Sequence, residues 1–161
     1  MGVPSFGKRV GVLSKASGCD LRGAVMVVED ATLVRKNSVV HDCREFAVLV
    51  AGTANIQDSI LQDCPTNSGI QVDPTGEVTI AGTTVRRCDT GLVVTGKATA
   101  RAGCRITGNA EGGTVASKYD GGPGEVTVQA GAVCEGNGDK DFVSLLGGTL
   151  IDVANEDIVH Y

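Results

Sequence analysis

The sequence predicts an all-β solenoid, short strands wound into stacked coils, and three observations predict it. The first is self-similarity. Glu77 to Lys97, EVTIAGTTVRRCDTGLVVTGK, restates Ala54 to Gly76, ANIQDSILQDCPTNSGIQVDPTG. Ile56 matches Ile80, Leu61 matches Val85, Cys64 matches Cys88, and Gly69-Ile70-Gln71-Val72 matches Gly91-Leu92-Val93-Val94. A period of roughly 20–25 residues, built from alternating apolar runs and Gly/Asp/Pro/Thr turns, marks a solenoid rather than a helical repeat. The second observation is a marker position, held by Cys64 and Cys88, that recurs along the chain. The third is composition: 23 glycines and no Trp, with abundant Val, Ile and Thr, which suits a core of stacked β-branched side chains. The length fits one domain, residues 1–161.

Taken in order, Lys8–Asp30 and Ala31–Thr53 form two coils with Cys19 and Cys43 at the marker. Ala98–Asn109 and Glu125–Asn137 continue the template with Asn109 and Asn137 there. The predicted ladder is therefore Cys19, Cys43, Cys64, Cys88, Asn109 and Asn137. Both residue types are small enough for a tight inward corner, and stacked Asn side chains can hydrogen-bond from coil to coil. Three residues earlier stands an apolar column (Ala16, Val40, Leu61, Val85, Ile106, Cys134), and two before that a small one (Ser14, Ser38, Ser59, Thr83, Cys104, Ala132). The template gives six to seven coils over about residues 8–152, with short terminal flaps at 1–7 and 153–161.

These columns, a hydrophobic-x-x-Asn corner followed by Gly-hydrophobic-x-hydrophobic, resemble the right-handed parallel β-helix repeats of the pectin-lyase-like superfamily. The resemblance covers about Lys8 to Asp152, and this chain differs in carrying Cys where that family often has Asn. It implies a single-stranded right-handed parallel β-helix and, being structural, no particular activity. In character the repeat is closest to the non-catalytic intracellular β-helix modules.

Charge and cysteine usage narrow the class. A net charge of −5 makes nucleic acid a poor partner. No apolar run approaches the roughly 18 residues of a membrane span, and the first residues lack the apolar stretch of a signal peptide. Six cysteines in a parallel ladder would hold their Cβ atoms nearly a full strand spacing apart, too far for a disulfide. Buried free thiols are expected, and with them a reducing, cytoplasmic location. There is no Cys-x-x-Cys or Cys/His spacing of zinc type, and no cofactor is implied.

Functional side chains converge just before the marker. His41-Asp42, Gln62-Asp63 and Arg86-Arg87 occupy equivalent places in three coils, on strand read as exposed, so Asp42, Asp63 and Arg87 stand in one row at steps of about 4.8 Å. In polysaccharide lyases of the resembling superfamily stacked Asp residues hold calcium and a nearby Arg removes the proton. The resemblance would give Asp42 and Asp63 the ligand role and Arg87 the role of base, while the bland reading is a row that pairs with itself. Galacturonase motifs and Trp-rich lyase motifs are absent from the sequence. A second feature is the longest interruption of the period, Ala110–Gly124, whose tip Lys118-Tyr119-Asp120 offers an interface anchor. Arg86, Arg87, Arg101 and Arg105 form a basic cluster suited to a carboxylate or phosphate. The expected function is a non-catalytic scaffold for protein contacts or adjacent domains. Carbohydrate-active chemistry is the alternative, and weak caps invite self-association through the coil ends.

Overall fold

The computed structural model describes residues 12–17, 20–119, 121–152 and 157–159. Short alternating runs of Val, Ile, Thr and Ala form the strands, and Asp, Asn and Gly take the bends. The first coil carries β1 (Val12–Ser17), β2 (Asp20–Arg22) and β3 (Val25–Val27). The second carries β4 (Thr32–Lys36), β5 (Val39–His41) and β6 (Val48–Val50). In the third and fourth, β7 (Thr53–Gln57) and β9 (Glu77–Ala81) are each followed by one long strand, β8 (Ile60–Val72) and β10 (Thr84–Val94), that bends around a corner. The fifth has β11 (Lys97–Ala100), β12 (Arg105–Thr107) and β13 (Gly112–Ser117), and the sixth β14 (Glu125–Val128), β15 (Val133–Glu135) and β16 (Lys140–Leu145). The chain closes with β17 (Thr149–Asp152) and β18 (Asp157–Val159).

Every pairing is parallel except the last, and strands of successive coils lie side by side. One face is the sheet β1-β4-β7-β9-β11-β14-β17; β2, β5, β12 and β15 with the first halves of β8 and β10 make the second face, and β3, β6, β13 and β16 with their second halves make the third, the two faces sharing one sheet that β8 and β10 fold around the corner. Gly18 and Cys19 fall outside the described residues, so five coils, from β4 to the start of β17, are complete apart from Asp120. The expected parallel solenoid is what the chain forms. Among the described residues no helix is long and apolar enough to cross a membrane.

The interior is a set of single-file columns. Leu33, Ala54, Val78, Ala98, Val126 and Leu150 stack in register along the first sheet, all buried. The neighbouring column runs Arg35, Ile56, Ile80, Ala100, Val128. Arg35 is the exception in it, a buried guanidinium whose Nε and Nη2 find no hydrogen-bond partner. In register it stands opposite Ala16 of the first coil.

Two corners are held by side chains that bond to the next coil. At the first, the Ser38 backbone N–H donates to Ser59 Oγ at 3.2 Å, and that hydroxyl donates to the Gln57 carbonyl at 2.7 Å. Thr83 repeats the pattern one coil on, donating to the Ala81 carbonyl. The column read from sequence as merely small is thus partly a hydroxyl ladder, with Cys104 continuing it as a buried thiol. At the second corner Cys64 pairs with Cys88, and the Cys88 N–H donates to Asn109 Oδ1 at 3.1 Å. Asn109 N–H and Nδ2 both donate to Asn137 Oδ1, and Asn137 N–H and Nδ2 donate in turn to Asp141 Oδ1 at 3.0 and 2.9 Å. Asp141 therefore ends the ladder, its carboxylate accepting what a further Asn would have accepted.

After this corner a glycine recurs at Gly69, Gly91 and Gly113, because a Cβ there would collide with Val85, Ile106 and the Asp141 carbonyl of the following coil. The place of Gly113 in this series corrects the sequence reading of the run after Ala110. Gly112–Ser117 is not part of an insertion but strand β13, paired with β10 and β16. The extra length lies in the turn from Lys118 to Gly124. The step from Asn109 to Asn137 consequently takes 28 residues, against 21 from Cys88 to Asn109.

The first coil needs a larger correction. Asp20, Leu21 and Arg22 pair with Val39, Val40 and His41, which brings Ala24, not Cys19, to the place facing Cys43. Cys19 itself lies outside the described residues. Ala16 sits in β1 against Arg35 of the first sheet rather than in the Val40 column, whose first-coil member is Leu21. The register between β1 and β4 shifts between Leu13 and Ala16, and Ala24 at the corner position is exposed.

The flaps 1–7 lie outside the described residues, as do 153–156, 160 and 161. Asp157–Val159 turns back as β18, antiparallel to β17, and occupies that strand's outer edge. On the first sheet the stack thus ends on a strand of its own chain. The ladder yields a direct expectation: Asn109→Ala leaves the Cys88 N–H without its acceptor and removes the link to Asn137. Chemical denaturation should show a loss of about 2–3 kcal/mol with an unchanged denaturant slope.

Candidate functional site

The row Asp42, Asp63 and Arg87 sits on the second corner, one residue before the ladder. All three have positive φ, 53°, 62° and 53°, and the same position in the next two coils is Gly108 and Gly136, also left-handed. Asp63 and Arg87 are therefore where β8 and β10 bend, and Asp42 lies just past the end of β5. Asp tolerates this conformation because its short side chain bonds locally, and glycine takes it without a Cβ clash. Arg87 has neither advantage, so its place there rests on its partner.

That partner is Asp63. Arg87 Nε donates to Asp63 Oδ1 at 2.7 Å and Nη2 to Oδ2 at 3.0 Å, a two-pronged pair from adjacent coils. The guanidinium holds the Asp63 carboxyl below the usual carboxylate range, and the carboxylate in turn raises Arg87 further. A residue whose proton is held more tightly is the opposite of what proton abstraction requires. Beside this pair Arg86 Nε donates to Gln62 Oε1 at 3.0 Å.

One coil earlier, His41 is clamped between two carboxylates. Its Nε2 lies 2.6 Å from Asp20 Oδ1 and its Nδ1 3.1 Å from Asp42 Oδ2, with Arg22 Nε 3.5 Å from the same Asp42 oxygen. Ionised carboxylates only accept, so both contacts are hydrogen bonds when both ring nitrogens carry protons. The Asp20 bond raises the His41 pKa; burial opposes it and Asp42 adds to the rise.

Asp20, Arg22 and Arg44 are participants that the sequence reading missed. The first two were lost with the first-coil register. Arg22, Asp42, Cys43, Arg44, Asp63, Pro65 and Arg87 line an open concavity of about 440 Å³. It is shallow and mixed in charge. Both Asp63 oxygens are engaged by Arg87 and the Asp42 Oδ2 by His41 and Arg22, leaving no preformed calcium cage from the two. Among the described residues no cluster of three or more His, Cys, Asp or Glu side chains is arranged to hold a metal ion.

The remaining predicted residues lie elsewhere. Lys118 and Tyr119 follow β13 at the far edge of the third face, both exposed, and are not brought to the row. Asp120 is outside the described residues. Arg105 approaches Glu135 at 4.0 Å on the second face rather than joining Arg87 in one anion site. Cys43, Cys64, Cys88, Cys104 and Cys134 are free thiols. Burial pushes up the pKa of Cys43 and Cys104, and that of Cys134 to about 12; Cys64 is raised by its neighbour Cys88 and by burial.

The clamp on His41 predicts a pH dependence whose sign follows from the raised pKa. Its contribution to stability is full below the unfolded value of about 6.5 and is lost as pH rises through the higher folded value. An NMR titration should place the His41 midpoint above that of a free histidine, and Asp20→Asn should lower it. An unshifted midpoint would mean that the clamp does not form in solution.

A family model described as the right handed beta helix region matches residues 14–131. No curated protein and no solved structure matches the chain. The match spans most of the coils whose parallel register, inward columns and corner ladders are described above, and the chain belongs to the right-handed β-helix family.

Proposed function

We propose that this chain is a non-catalytic β-helix scaffold that offers its lateral faces to protein partners or to neighbouring domains. The observation that carries the reading is the internal pairing of the corner row. Arg87 is committed to Asp63 on two bonds, His41 to Asp20 and Asp42, and Arg86 to Gln62. A catalytic acid, base or nucleophile needs a poised group facing a site that excludes water, and this row offers charges that satisfy one another beside an open concavity. The free thiols, of which Cys43, Cys64, Cys88 and Cys104 are buried, fit a reducing compartment, and we place the protein there. Stacking through the coil ends stays part of the proposal for the edges of the second sheet, since β18 covers the edge of β17.

The carbohydrate-active reading makes the opposite demand on Arg87. With calcium and a uronate polymer, the wild-type chain should give no rise in unsaturated-uronate absorbance above buffer, and a glycan array should stay blank. Arg87→Ala should only lower thermal stability slightly, as expected for an exposed pair. Turnover that this substitution abolishes would reverse the assignment.

A further inference from the structure

We infer that Arg35 is an anion-binding residue whose ligand is a small free carboxylate, held inside the stack where the first coil meets the second. The site is not on the lateral faces or at the corner row, and it stands whether or not those faces bind partners. Its first mark is a charge without a counter-charge. Arg35 takes an inward position of β4 at 5% exposure, and it is the only charged side chain among the buried residues described. Its column neighbour in the third coil is Ile56, and the buried side chains of its own coil include Leu33, Val40, Val48 and Val50. Its Nε and Nη2 have no hydrogen-bond partner. Lysine escapes such a place by giving up its proton and arginine does not, so burial without an anion leaves a charge in a low-dielectric interior.

Among the described residues of the neighbouring coils no acid is turned toward it. Asp20 and Asp42 are bonded to His41, and Asp63 to Arg87. Glu29, Asp30, Glu45 and Asp58 are exposed. Residues 1–19 carry Lys8, Arg9 and Lys15 but contain no Asp or Glu. Asp152 and Asp157 belong to β17 and β18, at the opposite end of the sheet from β1. The second mark is in the backbone. Leu13 pairs with Leu33 and Ala16 with Arg35, a step of three residues along β1 against two along β4. One extra residue of β1 is therefore taken up in the step that ends at Arg35. The later parallel pairings of this sheet, from β4 with β7 to β14 with β17, run without a shift. Bulges are rare between parallel strands and recur beside functional sites.

The chemistry of the ligand follows from the free edge. Nε and Nη2 form one side of the guanidinium, and Arg87 shows what that side takes, holding both oxygens of Asp63 on the same two atoms at 2.7 and 3.0 Å. A carboxylate presents two oxygens at the spacing of this fork. Net charge selects further. A monoanion neutralises one buried guanidinium, whereas a phosphate group near neutral pH would leave surplus negative charge in the same apolar interior. Chloride matches the charge but not the fork. Both nitrogens are shut off from solvent, which restricts the ligand to an acid of about the size of acetate.

Titrating sodium acetate into the full chain, beside sodium chloride and sodium phosphate at matched ionic strength, tests this. In the wild type the nitrogen-edited NMR signal of the Arg35 Nε–H should move along a saturating curve with Kd on the order of 1 mM, within the ceiling for so few ligand atoms. At about 100 mM acetate the folded-to-unfolded ratio should rise about 100-fold over that in chloride. Arg35→Met, which keeps the length and removes the charge, should lose this acetate stabilisation. An Arg35 signal that acetate leaves unmoved, a response to chloride or phosphate as strong as that to acetate, or an acetate effect that persists in Arg35→Met would overturn the inference. Should Arg35→Met fail to fold, the wild-type signal alone decides.

Discussion

Each coil of this chain must turn inward at the second corner with a side chain small enough to enter, polar enough to serve the neighbouring backbone, or both. Parallel strands leave no short hairpin to fix register, so the corner does it. Cys43, Cys64 and Cys88 meet the size requirement, and their thiols donate weakly to the Gly23, Gln62 and Arg86 carbonyls. Asn109 and Asn137 meet both requirements, and Asp141 terminates what they begin. The glycines Gly69, Gly91 and Gly113 follow from the same crowding, as does the left-handed residue that precedes each marker. A corner side chain of the wrong size or polarity would disturb all three features together.

Most of this was legible in the chain because a column repeats one physical demand. Ser38, Ser59 and Thr83, or Val40, Leu61 and Val85, stand at matched spacings since each faces the same environment one strand spacing further on. The first coil was not legible: Cys19 and Ala24 are both acceptable corner residues, and only pairing with Val39–His41 decides between them. β13 was misread because glycine is used both for turns and for close packing. Asp141 escaped notice because its role depends on being the last in line, which is no property of its local sequence.

The row at the corner shows the same division. That Asp42, Asp63 and Arg87 align could be read from spacing alone, and they do align. That they sit where the chain bends could not, because Asp, Arg and Gly share no obvious trait until φ is known. The pairing of Asp63 with Arg87 was within that reading, but the partners of His41 and Asp42 were not, since Asp20 and Arg22 belong to the coil whose register was mistaken. Runs such as Val48-Leu49-Val50 and Leu92-Val93-Val94 hid the third face, because a continuous apolar run does not say which residue turns outward.

The central claim is that the second-corner residues form a closed, reduced column inside the stack, and thiol counting tests it most directly. Under native conditions near pH 8 an aromatic disulfide reagent should react slowly with the folded chain, because Cys43, Cys64 and Cys88 are all buried away from it. After unfolding without reductant, all six cysteines should be released. Rapid native labelling of Cys43, Cys64 or Cys88, or fewer than about five thiols on unfolding, would contradict the account.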